Sequence, residues 1–330
     1  MLDPVVAAVR RAVREALAPF ADSGARILVA LSGGADSLAL AEATAHEARH
    51  AGIEAIAVTV DHCLQSGSAE VAERAARQAR DAGIRDARVV RVDVGSAGGP
   101  EAAARDARYA ALREAAAETG SVAVLVGHTL DDQAETVLLG LARGSGAASL
   151  QGMSPHALDE RGLAWIRPLL ALRRADTEAF CAASGIDPWA DPHNDDDRFA
   201  RVRVRHRVLP VLEAELGPGI AEALWRTAEQ LREDDEAFAD MIDETIEDIV
   251  EHAEAGIAVS VPALAANPAA IRNRIIRHVV ASEFGVALTR AQTLEVARLV
   301  TDWAGQGPID LPGCQATRSG QALAFRAAGA

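Results

Sequence analysis

The 330-residue chain contains no lysine, and all 33 of its basic residues are arginine. A Walker-type phosphate loop uses a lysine to reach the terminal phosphates of its nucleotide, and a pyridoxal enzyme uses one to form its Schiff base. Because the residue is missing, both classes of enzyme are excluded.

Cysteine is scarce as well. The three cysteines, Cys63, Cys181 and Cys314, are far apart in the sequence, and none is part of a Cys-x-x-Cys pair. This number and spacing disfavour a disulfide framework, a zinc ribbon and a cysteine-held iron–sulfur cluster. We expect three reduced thiols that are partly buried.

Long apolar segments are also missing. No run approaches the roughly 18 residues that a membrane-spanning helix needs. The first residues lack the basic start, apolar middle and small-residue cleavage site of a secretory signal. We therefore expect a cytoplasmic protein with no membrane partner.

The net charge of −15 is unevenly distributed. Residues 228–254 contain twelve acidic residues and one arginine, a net charge of −11, which leaves −4 for the rest of the chain. The opposite extreme is a cluster of five arginines beside His206, at positions 198, 201, 203, 205 and 207. A solvated helix face accounts for the acidic run, whereas the arginine cluster is a candidate surface for nucleic acid.

Apolar runs alternate with helical patterns over the first two thirds of the chain. The runs predict strands at 27–31, 55–60, 89–94 and 122–126. Helices are predicted at 5–19, 38–49, 69–81, 101–118, 132–141 and 175–184. Continuous apolar strands that alternate with helices indicate an α/β fold, a parallel doubly wound sheet covered on both faces. Ligands of such sheets bind beyond the carboxyl ends of the strands.

A second, mostly helical C-terminal domain is predicted after Gly217-Pro218-Gly219. We expect one domain over 1–216 and a second over 217–330. The second domain should contain a long helix, shorter helices at 272–282 and 291–300, and a β-hairpin within 307–325.

The segment from Ser32 to Ser37, Ser-Gly-Gly-Ala-Asp-Ser, lies between the first strand and its helix. Two glycines let the backbone approach an anion, and the helix N-terminus supplies free N–H groups. Asp36 would be repelled by phosphate unless a magnesium ion lies between them. The loop is thus suited to the pyrophosphate part of Mg-ATP, and the alternative is a purely structural turn.

A second polar string, Gly127 to Thr136, follows the fourth strand. His128 is expected at the strand end, with Asp131 capping the next helix and Asp132 opening it. This position faces the same crevice as the first loop. It offers a carboxylate for a metal and, in His128 or Asp132, a group that can accept a proton.

Both strings resemble those of a known superfamily. Ser-Gly-Gly-x-Asp-Ser is the signature of the PP-loop, or N-type, ATP pyrophosphatases, and the second string is similar to their Gly-His-x-x-Asp-Asp-Gln-x-Glu-Thr motif. The resemblance implies adenylation of a carbonyl oxygen with release of pyrophosphate. It implies that ATP binds Ser32, Gly33, Gly34, Ala35, Asp36, Ser37, Asp61, His62 and Gly127. It further implies that Asp36 and Asp132 hold Mg²⁺, and that Asp36, His128 and Asp132 are catalytic.

Further arginines extend the resemblance. Glu101 to Tyr109 is similar to a Glu-x-x-Ala-Arg-x-x-Arg-Tyr helix of the family, in which Arg105 and Arg108 share one face. They are candidates to bind phosphate, ATP or the RNA backbone, and the alternative is an exposed arginine face. Arg143 and Ser145 are candidate anion contacts.

The segment from Asp191 to Pro210 resembles one that sets the tRNA(Ile)-lysidine synthetases apart from other PP-loop enzymes. Asn194, Arg201 and Arg205 match and are candidate tRNA contacts, whereas His193 and Val202 replace the usual Ser and Asn. The alternative is an arginine-rich surface helix paired with the three aspartates at 195–197.

The resemblance implies a substrate pair of isoleucine tRNA with a CAU anticodon and free L-lysine, with ATP and Mg²⁺, and it allows a homodimer. It also implies that residues 1–216 form the PP-loop catalytic domain and that residues 217–330 form a tRNA-binding domain. Two alternatives stay open: a tRNA thiolation enzyme of the same fold, and a non-catalytic ATP-binding module.

Overall fold

The computed structural model describes residues 3–63, 67–95, 100–144, 146–253 and 256–328. They form two compact units, Met1–Leu231 and Arg232–Ala330. The predicted boundary at Gly217 falls between two helices, and the units divide 15 residues later, inside the second of these helices. The division into functional domains stays a prediction.

The first unit alternates strands and helices, as predicted. Its strands are β1 (Arg26–Leu31), β2 (Glu54–Asp61), β3 (Asp86–Arg91), β4 (Ser121–Leu125), β5 (His156–Leu158) and β6 (Ala164–Ile166). The helices up to β4 are α1 (Pro4–Leu17), α2 (Ala35–His50), α3 (Ser68–Ala82) and α4 (Pro100–Thr119). After β4 come α5 (Leu130–Ala142), α6 (Ala147–Leu150), α7 (Arg174–Ala183), α8 (Ala200–Arg203), α9 (Leu209–Leu216) and α10 (Ile220–Ile249), which runs into the second unit.

The six strands form one sheet in the order β3-β2-β1-β4-β6-β5. All neighbours pair in parallel except the edge strand β5, which is antiparallel to β6. Strand order reverses between β1 and β4, so the loops that leave these two strands diverge to opposite faces. A crevice opens at their carboxyl ends, and both polar strings predicted as sites follow these two strands.

Alternating residues of the strands enter two cores. Ile27, Val29 and Leu31 pack in one core with α1, α2 and α7. Leu28 packs in the other core with Val58 of β2, with α4 and with Trp165 of β6. Both faces of the sheet are therefore covered, which confirms the predicted parallel α/β class.

Between α8 and α9 the helical path widens to a π-helical turn over Val204–Val208. Such turns add a residue to the helix and rotate the side chains on either side of it. Here the turn contains Arg205, one of the predicted tRNA contacts.

The second unit combines helices with an antiparallel sheet. Its remaining elements are β7 (Val250–Ala253), β8 (Gly256–Ser260), α11 (Val261–Ala266), α12 (Ala269–Phe284), α13 (Arg290–Thr301), β9 (Ile309–Leu311), β10 (Cys314–Ser319) and β11 (Ala322–Ala327). The sheet order is β7-β8-β11-β10-β9. The predicted hairpin is present as β10 and β11, but it belongs to a five-stranded sheet that the sequence patterns did not indicate. No helix among the described residues of either unit is long and apolar enough to span a membrane.

Candidate active site

The loop after β1 is closed by the hydroxyl of Ser37. Its Oγ accepts hydrogen bonds from the backbone N–H groups of Ser32 and Gly33, each at 3.1 Å, and donates to the carbonyl oxygen of Gly34 at 3.0 Å. Gly33 has a φ of 85°, in the left-handed region that favours glycine. Gly34 caps α2 without a side-chain hydrogen bond, so the first N–H groups of the helix stay available for an anion.

Asp36 projects from the first turn of α2. Its carboxylate accepts a hydrogen bond from the hydroxyl of Thr177, and its Oδ2 lies 3.6 Å from Nε of Arg174. Burial raises the pKa of this carboxyl to about 6, against the opposing effects of Thr177 and Arg174. A further cation beside Asp36 would therefore stabilise its ionised form.

The end of β4 packs directly on this loop. A Cβ atom on Gly127 would lie 3.1 Å from the backbone C and O of Asp36 and 3.2 Å from the N of Ser37. No other residue fits here without moving α2. Gly127 therefore joins the two polar strings, which the sequence placed at one crevice by topology alone.

His128 follows Gly127 and faces the crevice. Burial lowers the pKa of its imidazole to about 3, so the ring is neutral at physiological pH. Its Nδ1 is buried and has no hydrogen-bond partner among the described residues. A neutral imidazole with an uncommitted nitrogen suits the predicted role of proton acceptor.

Asp132 caps α5, which corrects the prediction for Asp131. Its Oδ2 accepts from the backbone N of Thr129 at 2.9 Å and from the Thr129 hydroxyl at 3.0 Å. Asp131 instead accepts from the backbone N of Arg174 at 2.7 Å. Because a capping box places the acid three residues after the Thr, the second acid of the Asp-Asp pair fits and the first does not.

One other residue of the string, Gln133, serves the scaffold. Gln133 is fully buried, and its amide accepts from the N of Met153 at 2.7 Å and donates to the O of Met153 at 3.0 Å. Gly152, beside it, leaves no room for a side chain, since a Cβ would lie 2.5 Å from Oε1 of Gln133. Together they fix the loop after α6 to α5.

Arg174, the first residue of α7, was missed by the sequence analysis. Its Nη2 lies 3.0 Å from Oδ1 of Asp132, in addition to the Asp36 contact, and its Nη1 lies 3.7 Å from Oε1 of Glu135. Burial raises the pKa of Asp132, but the charge of Arg174 and the Thr129 hydrogen bond outweigh it and bring the pKa below its usual value. A single arginine therefore joins the acids of both strings.

Four arginines of the 198–207 cluster divide into two sets, and only the first set was predicted to contact tRNA. Arg201 and Arg205 turn inward and pair with the fully buried Glu135, at 3.6 and 2.7 Å. Arg198 and Arg207 turn outward and pair with Asp196 and Asp197. The alternative of a surface paired with aspartates thus describes the outer set, whereas the inner set pairs with a buried acid of α5.

These residues surround one cavity of about 740 Å³ in the first unit. The predicted residues that line it are Ser32, Gly34, Ala35, Asp36, Ser37, Asp61, His62, Arg108, Gly127, His128, Asp132, Asn194 and Arg205. Gly33 contributes its carbonyl oxygen, which accepts from the N of Trp189, another lining residue, at 2.9 Å. The loop glycines and the pair His128 and Asp132 therefore share a pocket, as the sequence predicted.

The β2 end contributes Asp61 and His62 to the cavity wall. Oδ1 of Asp61 accepts from the N of Cys63 at 3.0 Å, while Oδ2 is buried and lies 3.8 Å from Nε of Arg91. Burial lowers the pKa of His62, and Arg108 adds to this effect. A neutral, half-buried ring at this end suits a wall for a nucleobase.

Arg108 faces the cavity from α4, and burial lowers the pKa of its guanidinium. Within the described ranges no carboxylate forms an ion pair with it, so its charge is available to an anionic ligand. Arg105 lies outside the cavity lining with its guanidinium 4.9 Å from the ring centre of Tyr109. The sequence could not separate these two arginines, because both lie on one helix face.

Arg143 lies away from the described cavity lining. Arg143 is exposed at the end of α5 and donates to the carbonyl oxygen of Leu139 at 3.1 Å. Ser145 lies outside the residues that the structure describes.

The segment before the arginine cluster lies over the loop. Trp189 is fixed to Gly33 through its backbone, and Asp187 accepts hydrogen bonds from Arg74 at 2.9 Å and, at its carbonyl, from Gln78 at 2.8 Å. Asn194 lies at the cavity edge and accepts from Nε2 of His206 at 3.2 Å. The only sequence signal for Trp189 was a tryptophan inside a polar, irregular stretch.

The acids of this cavity fit a magnesium ion that is shared with phosphate. Asp36 and Asp132 are close enough for the charge of Asp132 to raise the pKa of Asp36. Mg²⁺ in nucleotide sites uses one or two carboxylates and completes its shell with phosphate oxygens and water. In the part of the chain that the structure describes, no group of three or more His, Cys, Asp or Glu could hold a metal by itself. The donor set therefore suits a metal that phosphate helps to bind.

Comparisons with known proteins agree with this arrangement. Residues 6–212 match the family described as PP-loop domain, and residues 260–324 match the family described as TilS substrate binding domain. The chain is 59% identical to the tRNA(Ile)-lysidine synthase of Leifsonia xyli subsp. xyli, over 92% of this chain and 90% of that protein. It is 48% identical to that of Thermobifida fusca, over 96% and 95%, and 45% identical to that of Streptomyces coelicolor, over 98% of each.

A solved structure shares the fold at lower identity. The U34-tRNA thiolase NcsA from Methanococcus maripaludis, with its [4Fe-4S] cluster, matches with a TM-score of 0.59 and 19% identity. The match covers 69% of this chain and 79% of the thiolase. At this identity the likeness concerns the fold alone.

Proposed function

The chain belongs to the tRNA(Ile)-lysidine synthase family of PP-loop enzymes, and from this we propose how its cavity makes lysidine. The substrates are ATP, free L-lysine and isoleucine tRNA with a CAU anticodon. The C2 oxygen of the wobble cytidine attacks the α-phosphorus of ATP, which forms an adenylated cytidine and releases pyrophosphate. The side-chain amine of lysine then attacks C2 and displaces AMP.

One observation carries this proposal: the anion-binding loop and the pair His128 and Asp132 line the same cavity. The N–H groups of the first turn of α2 bind the two phosphates that leave. Arg108 supplies a positive charge from the opposite wall. The wobble base must leave its stack to reach this cavity, because its C2 lies inside the anticodon loop.

Asp36, with Asp132 beside it, would hold a magnesium ion, which neutralises the charge of the leaving pyrophosphate. The raised pKa of Asp36 supports this assignment, because a buried carboxylate gains most from a bound cation. Both acids also keep the loop, α5 and α7 in register through Arg174.

His128 accepts the proton that the attacking amine loses. Its imidazole is neutral and its Nδ1 is uncommitted, whereas Asp132 already accepts from Thr129 and Arg174. The phosphates of bound ATP would raise the low pKa of His128 toward the range in which a base is effective. This favours His128 over Asp132 as the proton acceptor.

The charges near the cavity floor suit free lysine. Lysine has two ammonium groups and one carboxylate, and this region offers the carboxylates of Asp132 and Glu135 beside the guanidinium groups of Arg174 and Arg205. A ligand with charges of both signs can exchange partners with these ion pairs, which a neutral or purely anionic substrate cannot do. We therefore propose that lysine binds on the α5 side of the cavity.

The rival thiolation reaction finds little support in the cysteines. Cys181 is buried and donates to the carbonyl oxygen of Ala35 at 3.5 Å, and Cys314 is buried in the second unit. Burial raises the pKa of Cys181 to about 11, so its thiolate is strongly disfavoured. Cys63 is the one exposed thiol of the three, and a persulfide relay or a cluster needs more.

The decisive assay measures labelled lysine incorporated into an isoleucine tRNA transcript in the presence of ATP. We expect incorporation by the unmodified chain and a loss of at least about a hundredfold, roughly 2.7 kcal/mol, for Asp36→Asn. Asp81→Asn, an exposed carboxylate on α3, is the matched control and should retain full activity. Sulfur transfer instead of lysine incorporation would establish the thiolation alternative. If no product formed, the non-catalytic ATP-binding module would be the alternative that remains.

The remaining assignments rest on this reaction. We propose a cytoplasmic location, because tRNA, ATP and free lysine are available there, and tRNA binding by residues 217–330, in line with the matched substrate binding domain. Contacts of Asn194, Arg105 and Arg143 with tRNA, and a homodimer, stay predictions.

A further inference from the structure

Arg174 contacts the same two carboxylates that a magnesium ion would use. Its guanidinium lies 3.6 Å from Asp36, 3.0 Å from Asp132 and 3.7 Å from Glu135, with 22% of the side chain exposed. A guanidinium and a divalent cation cannot both contact the same carboxylate oxygens at full strength, because each repels the other.

The position of Arg174 is fixed from its backbone. Its N–H donates to Oδ2 of Asp131 at 2.7 Å, and one turn later Thr177 contacts Asp36. The first turn of α7 therefore holds the guanidinium between the N-termini of α2 and α5. Rigid placement keeps the arginine in contact with both acids.

The charges around Arg174 balance. Three carboxylates, Asp36, Asp132 and Glu135, meet three guanidinium groups, Arg174, Arg201 and Arg205. A bare divalent cation would enter a neutral cluster and would have to displace a bound guanidinium. A metal that arrives on ATP brings the negative charge of the phosphates with it, and the phosphates also replace ligands that the two acids alone do not supply.

We propose that Arg174 competes with divalent cations for Asp36 and Asp132, so that the enzyme takes up its metal together with ATP and not before it. This proposal rests on the proposed ATP-dependent function. Arg174 is then a positioning residue: it holds the two acids in register until the phosphates and their metal replace its contacts.

The test measures Mn²⁺ binding to the full chain without nucleotide, from the loss of the free Mn²⁺ signal in electron paramagnetic resonance. A pH of about 8 keeps Asp36 ionised, so that protons do not compete with the metal. We expect Arg174→Met to bind Mn²⁺ at least about tenfold more tightly than the unmodified chain. Adding Asp36→Asn to this variant should remove the gain.

Two matched controls separate charge from packing. Arg173→Met removes the neighbouring arginine, which pairs with Asp131 and Glu222, and it should leave Mn²⁺ affinity unchanged. Arg174→Lys keeps the positive charge and should bind Mn²⁺ as weakly as the unmodified chain. Circular dichroism of each variant confirms that it is folded.

Equal Mn²⁺ affinities of the unmodified chain and Arg174→Met would overturn the proposal. So would binding by the unmodified chain alone at about 10 μM or tighter, whatever the variants do. Neither measurement uses tRNA or lysine. A failure of lysine incorporation, with Mn²⁺ binding as expected, would therefore count against the proposed function and leave this inference standing.

Discussion

At the scale of one residue, the buried carboxylate of Asp36 lowers the stability of the folded chain. Burial raises the pKa of its carboxyl from 3.8 to about 6. The folded chain therefore holds a proton on Asp36 more tightly than the unfolded chain does. Above about pH 6 both states are ionised at this position, and the folded state has the full unfavourable contribution. Below 3.8 both are protonated and the contribution disappears.

We accordingly predict that Asp36→Asn stabilises the chain while it abolishes activity. The free energy of unfolding should rise by about 1–3 kcal/mol at a pH of about 8, because the amide lacks the buried charge. Near pH 4 the gain should fall below about 1 kcal/mol. Urea unfolding at both pH values, with Asp81→Asn as the control, measures this difference. A less stable variant at the higher pH would show that Arg174 more than offsets the burial of Asp36.

Residue types and spacing predicted much of this site, and only its long-range partners were missed. The loop glycines, Asp36, His128 and Asp132 were found because their chemistry is local to two strings. Arg174 was missed because its contacts with Asp36 and Asp132 join residues 138 and 42 positions apart, which no local pattern shows. The inward turn of Arg201 and Arg205 depends likewise on Glu135, far away in the sequence.

At the scale of elements, the site depends on how closely β4 approaches α2. The backbone of Gly127 lies so near Asp36 and Ser37 that a methyl group would displace the first turn of α2. In the proposed function that turn supplies both the N–H groups for phosphate and the carboxylate for the metal. A shift of a few tenths of an ångström would therefore reach the chemistry directly.

We predict that Gly127→Ala raises KM for ATP at least about tenfold and costs roughly 1–3 kcal/mol of stability. Gly146→Ala is the matched control, because a Cβ there meets nothing within 4 Å and φ is −73°. Initial rates of lysine incorporation at varied ATP concentration measure the effect. An unchanged KM would mean that the loop tolerates movement and that its exact distance from β4 is unimportant.

Strong apolar runs in the sequence predicted the central strands well. Strands with weak apolar runs were predicted out of place or not at all. β1, β2 and β4 were found within one residue at each end. The prediction for β3 was displaced by three residues, because this edge strand begins with the polar pair Asp86 and Arg88. β5, β6 and β9 are three residues long and have no periodic signal, and they form only because neighbouring strands offer hydrogen bonds.

At the scale of the whole molecule, the negative net charge does not reflect the local charge of the cavity, which is suited to anions. The net charge of −15 arises mainly within residues 228–254, whereas the cavity of the first unit combines a helix N-terminus with Arg108, Arg174 and Arg205. Local arrangement, and not the sum of charges, decides what this chain binds. The second unit has its own core and its own sheet, of which the sequence showed only the hairpin.

In the proposed reaction the leaving phosphates bind the loop, and the attacked phosphorus lies between that loop and His128. Cleavage should therefore occur between the α- and β-phosphates, in contrast to the γ-phosphoryl transfer of enzymes with a Walker lysine. The most direct measurement follows ATP labelled at the α-phosphorus during a reaction with isoleucine tRNA and lysine. We predict labelled AMP, formed in a one-to-one ratio with incorporated lysine. Labelled ADP as the product would contradict the account.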